Sequence, residues 1–202
     1  MTDRQKRGWL LALLGLSMVL AAFFMHTAEE KQDAIAGENA AILLQQLKLS
    51  QPALSEPQTD SPEAETVPAA TAMAEKDYLG YSMIGTLRIP ALGMELPVLS
   101  SWSYELLEVA PCRYSGSVPE ENMILMGHNY KSHFTPLHHI AVGTAVEFED
   151  VNGIVTHYTV ALTEILHKNE IDRLPSEYPL TLFTCTAGGQ NRLMVRCATQ
   201  ID

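Results

Sequence analysis

The sequence predicts a mostly β fold, a barrel or a sandwich, in the C-terminal part of the chain. Three observations support this fold: short stretches of β-prone apolar residues recur after residue 77, turn-forming residues separate them, and helical patterning is sparse there. The chain has 202 residues, enough for one folded domain plus appendages, because a domain typically takes about 100–200 residues. We therefore expect a single folded domain over residues 77–202.

The first element is an uncharged apolar run of 18 residues, residues 8–25. At about 1.5 Å per residue, a helix of this length reaches roughly 27 Å and can span a membrane. Three basic residues precede the run and two glutamates follow it, which predicts a cytoplasmic N-terminus and an extracellular domain. Residues 1–26 are therefore predicted to be a single-pass signal anchor. The alternative is a cleaved signal peptide, since Ala21-Ala22 and Thr27-Ala28 offer small residues near a cleavage position.

Residues 27–76 are predicted to connect this anchor to the domain. Ile35, Ala36, Ile42, Leu43 and Leu47 recur loosely at helical spacing, which predicts a short juxtamembrane helix over residues 29–49; a partly ordered stalk is the alternative. Residues 50–75 are rich in Pro, Ala, Ser, Thr and Glu, a composition that buries too little apolar surface to fold. We interpret them as a tether.

The folded domain is predicted to contain several strands and two short helices. The first strands cover residues 83–89, 94–99, 122–126, 144–148 and 153–166, and the last two are joined by a turn at residues 150–153. The helices cover residues 104–109 and 134–140. A hairpin follows, because the apolar run that ends at Cys185 is separated from a second run at residues 193–195 by the turn formers of residues 187–191.

Composition excludes some classes of function. The formal net charge is −11, and because residues 1–26 carry +2, the remainder carries −13. Such an acidic domain is not expected to bind nucleic acid. Three cysteines are too few for a disulfide framework, and the odd number leaves at least one thiol free in a monomer. Cys112 and Cys197 either pair, as an exported chain would allow, or are both buried thiols.

Cys185 is the candidate nucleophile, because a thiol at the junction of strand and loop is accessible to a substrate. It needs a partner that removes its proton, and His128 directly follows a predicted buried strand, between Gly127 and Asn129. Arg192 begins the return strand and can stabilise an oxyanion; Arg196, on the same face, is the alternative. The alternative without a catalytic role is that either arginine forms a surface salt bridge.

The remaining histidines do not predict a metal site. His133, His138 and His139 lack the pairing with a glutamate that a zinc-binding helix shows, and no paired cysteines accompany them. We interpret histidines other than His128 as surface or packing residues, and we expect no metal and no cofactor.

These motifs resemble those of the sortases, the membrane-anchored cysteine transpeptidases of Gram-positive bacteria. Thr181-Leu-Phe-Thr-Cys185 is similar to the family's Thr-Leu-any-Thr-Cys signature, Gly127-His128-Asn129 to its catalytic histidine segment, and Arg192 to its arginine after the cysteine. The segments at residues 84–90 and 113–117 also resemble family segments. The resemblance covers the chain from about residue 78 onward.

The resemblance implies a closed eight-stranded β-barrel and a two-step acyl transfer. In it, Cys185 attacks a bond in the C-terminal sorting signal of a secreted protein, and the acyl group passes to an amine of the cell wall or of a pilin. His128 exchanges protons with the two amines and Arg192 holds the oxyanion or the substrate backbone. Thr184 helps to position the substrate, and Asn129 is taken as a second substrate-binding residue. Such enzymes anchor surface proteins.

The subclass and two rival functions stay open. Gly127-His128-Asn129-Tyr130 resembles class B enzymes, yet residues 163–179 are short for the helical insertion of that class. One rival is an extracellular cysteine peptidase, which would release the acyl group to water. The other is a non-catalytic β-domain that binds a cell-wall component, in which Cys185 would be structural.

Overall fold

The computed structural model describes residues 3–50 and 73–200. It consists of one long helix and a β domain. Most of the predicted tether, residues 51–72, lies outside the described residues, so its interpretation stays a prediction, as do the domain boundaries. The mostly β prediction is confirmed.

The N-terminal helix α1 runs without interruption over Asp3–Ser50, and a one-turn helix α2 covers Tyr104–Leu107. The strands are β1 Lys76–Tyr78, β2 Tyr81–Ile89, β3 Met94–Leu99, β4 Cys112–Ser115, β5 Met123–Met126, β6 Ala145–Asp150, β7 Val155–His167, β8 Leu180–Cys185 and β9 Asn191–Thr199. Short 3-10 helices cover Pro90–Leu92, Thr135–His139 and Ile171–Arg173. All predicted strands are present, and β1 and β4 are additions that the sequence patterning did not predict.

Strands β2 to β9 form a closed barrel. Their order is β2-β3-β4-β5-β8-β9-β7-β6, and β6 pairs back onto β2, so these eight strands close into a ring. The pairs β3–β4 and β5–β8 are parallel and the others are antiparallel. Strand β1 adds a short extension beside the start of β2. The expected eight-stranded closed barrel is therefore confirmed.

Strand β8 is buried on both of its faces. Leu180 and Leu182 belong to the cluster inside the barrel, whereas Phe183 packs outside it with Leu166 and Leu174. The segment between β7 and β8 covers the outer face. This double burial explains why β8 is a continuous apolar run rather than an alternating one.

Helix α1 packs against the barrel through one stripe of small and apolar side chains. The buried residues follow one another at intervals of four, three and four, which is the spacing of a single helix face: Ala36, Ala40, Leu43 and Leu47. Leu43 and Leu47 contact a cluster that includes Leu99, Leu107 and Cys112. The predicted helix over residues 29–49 is therefore the C-terminal part of a longer one, and Ile35 and Ile42 lie on its exposed face.

By length and composition, α1 is able to cross a membrane. The apolar side chains described in its N-terminal half are exposed, among them Phe23 and Phe24. This exposure fits a membrane anchor.

The three cysteines are all unpaired. Cys112 lies in the cluster beneath α1, whereas Cys197 lies inside the barrel, so the strands separate the two thiols. The predicted alternative of a Cys112–Cys197 disulfide is therefore wrong for this structure, and both residues are buried thiols.

Candidate active site

The hairpin of β8 and β9 brings Cys185 and Arg192 together. Cys185 is the last residue of β8, and Arg192 is its partner in the antiparallel register. The turn closes through a hydrogen bond from Thr186 N to Asn191 O of 3.0 Å. Gly188 and Gly189 both adopt positive φ, 79° and 69°, which favours glycine at these two positions. Local sequence therefore places the arginine directly across from the thiol.

His128 reaches the same region through the parallel pairing of β5 with β8. Met126 is in register with Phe183, and Gly127 N donates a hydrogen bond to Phe183 O at 3.1 Å. A Cβ at Gly127 would lie 2.6 Å from the ring of Phe134, so the close approach at this position requires glycine. The chain after β5 therefore continues beside the end of β8, where Cys185 is.

Cys185, His128 and Arg192 all line one cleft, with a volume of about 240 Å³. Its walls are largely apolar and include Trp102, Leu107, Tyr114, Met126, Leu174 and Phe183. The ring of Tyr114 stacks on Trp102 with centroids 5.7 Å apart and meets Phe183 edge-on at 5.5 Å. These walls suit an extended peptide with apolar side chains. Sequence analysis did not identify them, because they come from five separate segments of the chain.

The three cysteines differ in accessibility. Cys185 is half-buried at the cleft, whereas Cys112 and Cys197 are buried. Burial raises the pKa of each of the two buried thiols to about 12. Since a thiolate is the nucleophilic form, only Cys185 is placed to react with a molecule in solution.

His128 is surrounded by aromatic and acidic groups. Its ring stacks on Tyr130 with centroids 4.7 Å apart. Burial lowers the pKa of His128 below its usual value, and the nearby Glu108 carboxylate opposes part of this effect. Burial thus favours the neutral imidazole, which is able to accept a proton. No hydrogen bond joins it to Cys185 in the described part of the chain, and such bonds often tighten only with substrate.

Arg192 is held at the cleft by the hairpin turn. Its Nη1 donates hydrogen bonds to Gly189 O at 2.9 Å and Asn191 O at 3.1 Å. Among the described residues, its Nε and Nη2 donors have no partner, which leaves them for a ligand. The guanidinium is therefore held at the cleft that Cys185 also lines, and among the described residues it forms no ion pair.

Arg196 has a different environment. It is only 2% exposed, and its guanidinium lies 3.0 Å from Glu164 Oε1 and donates to Leu174 O at 2.6 Å and Arg173 O at 2.7 Å. It does not line the cleft. The structure therefore gives no support to Arg196 as the alternative oxyanion donor. Its hydrogen bonds instead join the segment after β7 to the barrel.

The two predicted substrate-binding residues are placed less directly. Thr184 borders the cleft, but it is 1% exposed and by strand alternation its side chain shares the inner face of Leu182. Asn129 Oδ1 accepts a hydrogen bond from Thr135 Oγ1 at 3.0 Å and lies 3.2 Å from His138 Nε2. Neither geometry points to a side chain that is free to bind a substrate.

His138 is a neighbour of the site that sequence analysis did not identify. Its Nε2 lies 3.4 Å from the backbone oxygen of Cys185. The two residues are 47 positions apart, so no local pattern signals the contact. In residues 3–50 and 73–200, no three His, Cys, Asp or Glu side chains are grouped to hold a metal ion.

Comparison with known families gives one match. The family model described as "Sortase domain" matches residues 87–200, a range that includes β3 to β9 and all three candidate catalytic residues. Among curated proteins, none matches the chain significantly.

Several solved structures share the fold. The sortase C1 of GBS pilus island 1 is 22% identical, with a TM-score of 0.53 over 59% of this chain and 65% of that one. Sortase A from Corynebacterium diphtheriae is 20% identical, with a TM-score of 0.54 over 60% and 63% of the two chains. Sortase C1 from Streptococcus suis is 21% identical, with a TM-score of 0.53 over 59% and 74%. The chain thus spans slightly less than two thirds of the first two relatives.

Proposed function

Because the chain belongs to the sortase family, we propose that it is a cysteine transpeptidase that cleaves a C-terminal sorting signal and transfers the acyl group to an amine. The observation that carries this proposal is the convergence of Cys185, His128 and Arg192 on one apolar cleft. The three side chains come from the ends of β8, β5 and β9, and Cys185 is the accessible cysteine among three.

In the first step, the Cys185 thiolate attacks the carbonyl carbon of the scissile peptide bond. The negative charge that develops on the carbonyl oxygen is stabilised by Arg192, whose unpartnered donors support this role. His128, which has taken the proton of the Cys185 thiol, gives it to the departing amine as the carbon–nitrogen bond breaks. The product is a thioester between the substrate and Cys185, and the C-terminal part of the signal leaves.

In the second step, the nitrogen of the incoming amine attacks the thioester carbonyl. The neutral His128 accepts the proton of that amine, the carbon–sulfur bond breaks and the thiolate of Cys185 is restored. The amine belongs to the cell wall or to a pilin subunit, so the enzyme anchors surface proteins or joins them together. Backbone groups at Thr184 and the link between Asn129 and His138 support the cleft in this scheme.

The proposed location is the cell membrane, with the N-terminus in the cytoplasm and the barrel outside the cell. Support comes from the apolar run at residues 8–25 in the N-terminal half of α1 and from the three basic residues that precede this run in the sequence. In that orientation the cleft faces secreted substrates.

The experiment that tests the proposal is intact mass spectrometry of the full chain in detergent, incubated with a panel of sorting-signal peptides, with and without an added amine. The full chain is used because α1 contributes buried side chains to the domain. We expect a covalent acyl adduct on Cys185 that transfers to the amine. Cys185→Ala is the control and should form none.

Other outcomes would favour other functions. An adduct that only water resolves would indicate a cysteine peptidase. If Cys185→Ala still transferred acyl groups, the assignment of the nucleophile would be wrong. If no peptide formed an adduct, a non-catalytic β-domain that binds the cell wall would be favoured.

A further inference from the structure

Helix α1 contacts the loop that carries His128, residues 127–134, which we call the His128 loop. Ser132 N donates a hydrogen bond to Asp33 Oδ1 at 3.0 Å. The Ser132 hydroxyl lies 2.6 Å from the same Oδ1 and 3.0 Å from the backbone oxygen of Asp33. Both the backbone and the side chain of Ser132 are therefore held by one residue of the helix, 99 positions earlier in the sequence.

The helix and the loop approach each other closely around this contact. A Cβ at Gly37, one turn after Asp33, would lie 2.9 Å from Ser132 Cβ. The next loop residue, His133, is fully buried, and backbone groups of Ala36 and Val109 face its ring without a well-formed hydrogen bond in the described part of the chain. The helix therefore forms one wall of the space that the loop occupies.

The carboxylate of Asp33 is stabilised by this contact. Burial works against its ionisation, but the hydrogen bonds from Ser132 and the Lys131 backbone outweigh burial, so the pKa of Asp33 is lowered. Hydrogen bonds to an ionised carboxylate are stronger than those between neutral groups. At neutral pH the contact is therefore a charge-assisted one.

The loop has a second attachment at its other end. Gly127 N donates to Phe183 O on β8, and Phe134 N donates to His128 O at 3.1 Å, which closes the loop on itself. Between these bonds, the outer part of the loop, at Lys131 and Ser132, rests on α1. His128 thus lies between an attachment to the strand of Cys185 and an attachment to the anchor helix.

We propose that Asp33 is a positioning residue: by binding Ser132, it holds the His128 loop in the conformation that presents His128 to the cleft. The inference rests on the proposed function for its catalytic consequence. It makes the extracellular end of the anchor helix part of the active site's support, rather than a spacer between membrane and enzyme.

The kinetic test uses the full chain in detergent and measures the rate of acyl-enzyme formation against peptide concentration. Asp33→Ala should slow the maximal rate by about 10- to 100-fold, because small displacements of a catalytic group have effects of this size. The KM for the peptide should not change, since α1 does not line the cleft. Asp33→Asn keeps an acceptor for Ser132 and should recover most of the rate. Ser132→Ala should have an intermediate effect.

The matched control is Glu38→Ala, which removes an exposed carboxylate from the same helix and should leave rate and KM as in the wild type. Any of three results would overturn the proposal. They are an equal loss of maximal rate in Glu38→Ala and Asp33→Ala, an effect of Asp33→Ala on KM alone, and an unchanged maximal rate in Asp33→Ala.

Hydrogen–deuterium exchange separates this inference from the proposed function. Amide exchange over residues 127–134 should rise in Asp33→Ala and not in Asp33→Asn or Glu38→Ala, whether or not the wild type forms an acyl-enzyme. If the wild type is inactive, the proposed function fails. Faster exchange of Asp33→Ala confined to the His128 loop would still support the inference that Asp33 holds this loop. Unchanged amide exchange in Asp33→Ala would overturn that inference, whether or not the wild type is active.

Discussion

The free energy of unfolding should fall between about pH 7.5 and about pH 5, and His133 should account for much of the fall. His133 is fully buried. Its pKa is lowered from 6.5 to about 4, mainly by burial; the neighbouring His128 adds to the lowering, whereas the Ala36 backbone and the Asp33 carboxylate oppose it. In the folded protein the ring therefore stays neutral at a pH at which the unfolded chain would protonate it.

Proton linkage gives the direction and the size of this change in the free energy of unfolding. Between pH 6.5 and about pH 4 the unfolded state binds a proton that the folded state does not, so stability is lost as the pH falls through 6.5 and the loss levels off below about 4. A shift of this size corresponds to about 3 kcal/mol when fully developed, and to about 2 kcal/mol at pH 5. Despite its partial burial, Asp33 has a pKa that the hydrogen bonds from Ser132 lower, so the stability that its carboxylate contributes is lost only at a lower pH than this measurement covers.

Urea unfolding of the full chain in detergent, repeated across this pH range, measures the effect. Wild type should lose about 2 kcal/mol more than His133→Gln between pH 7.5 and pH 5. The control is His139→Gln, which changes an exposed histidine of the adjacent 3-10 helix and should lose as much as the wild type. An equal pH dependence in wild type and His133→Gln would refute the reasoning.

Four further predictions concern the cleft, its support and the accessibility of the cysteines. Arg192→Lys keeps the charge but loses the planar fork, so acylation should slow at least about tenfold in the mass-spectrometric assay, with stability unchanged. Arg196→Lys should instead lower the free energy of unfolding by about 3 kcal/mol, because it disrupts a buried ion pair and its hydrogen bonds; a slowed acylation at normal stability would return the oxyanion role to Arg196. Trp102→Ala should raise the KM for peptides several-fold with little change in maximal rate, and a fall in rate alone would contradict a wall role. Native alkylation should modify Cys185 alone and denatured alkylation all three thiols; a second rapid native modification would show that the buried thiols are accessible.

Much of the fold and part of the site follow from local sequence. The alternation of β-prone residues predicts most strands, and the turn formers before Arg192 predict that it returns across from Cys185. A hairpin is a local structure, because its register depends on a few consecutive residues and on the turn that joins them. The pair of Cys185 and Arg192 was predictable for that reason.

Other parts of the site depend on contacts between distant segments. Strand β4 is short and lacks an alternating pattern, and the substrate roles expected of Thr184 and Asn129 depend on directions that only packing determines. Thr184 points inward because β8 ends with Cys185 on the outer face. Asn129 is engaged because the 3-10 helix Thr135–His139 folds back beside it.

The sequence by itself determined the family and the β architecture, and it predicted Cys185 as the nucleophile, because the motifs and strands that carry these inferences consist of consecutive residues with strong local preferences. The tertiary structure alone decided that His128 lies in the same cleft as Cys185, through the parallel β5–β8 pair, and that Asp33 contacts Ser132. These contacts join segments far apart in the chain. Closing such long loops costs conformational entropy, so the contacts form only when many buried side chains pack at once. No local pattern encodes such a balance, so the contact between helix α1 and the His128 loop emerges only in the folded molecule.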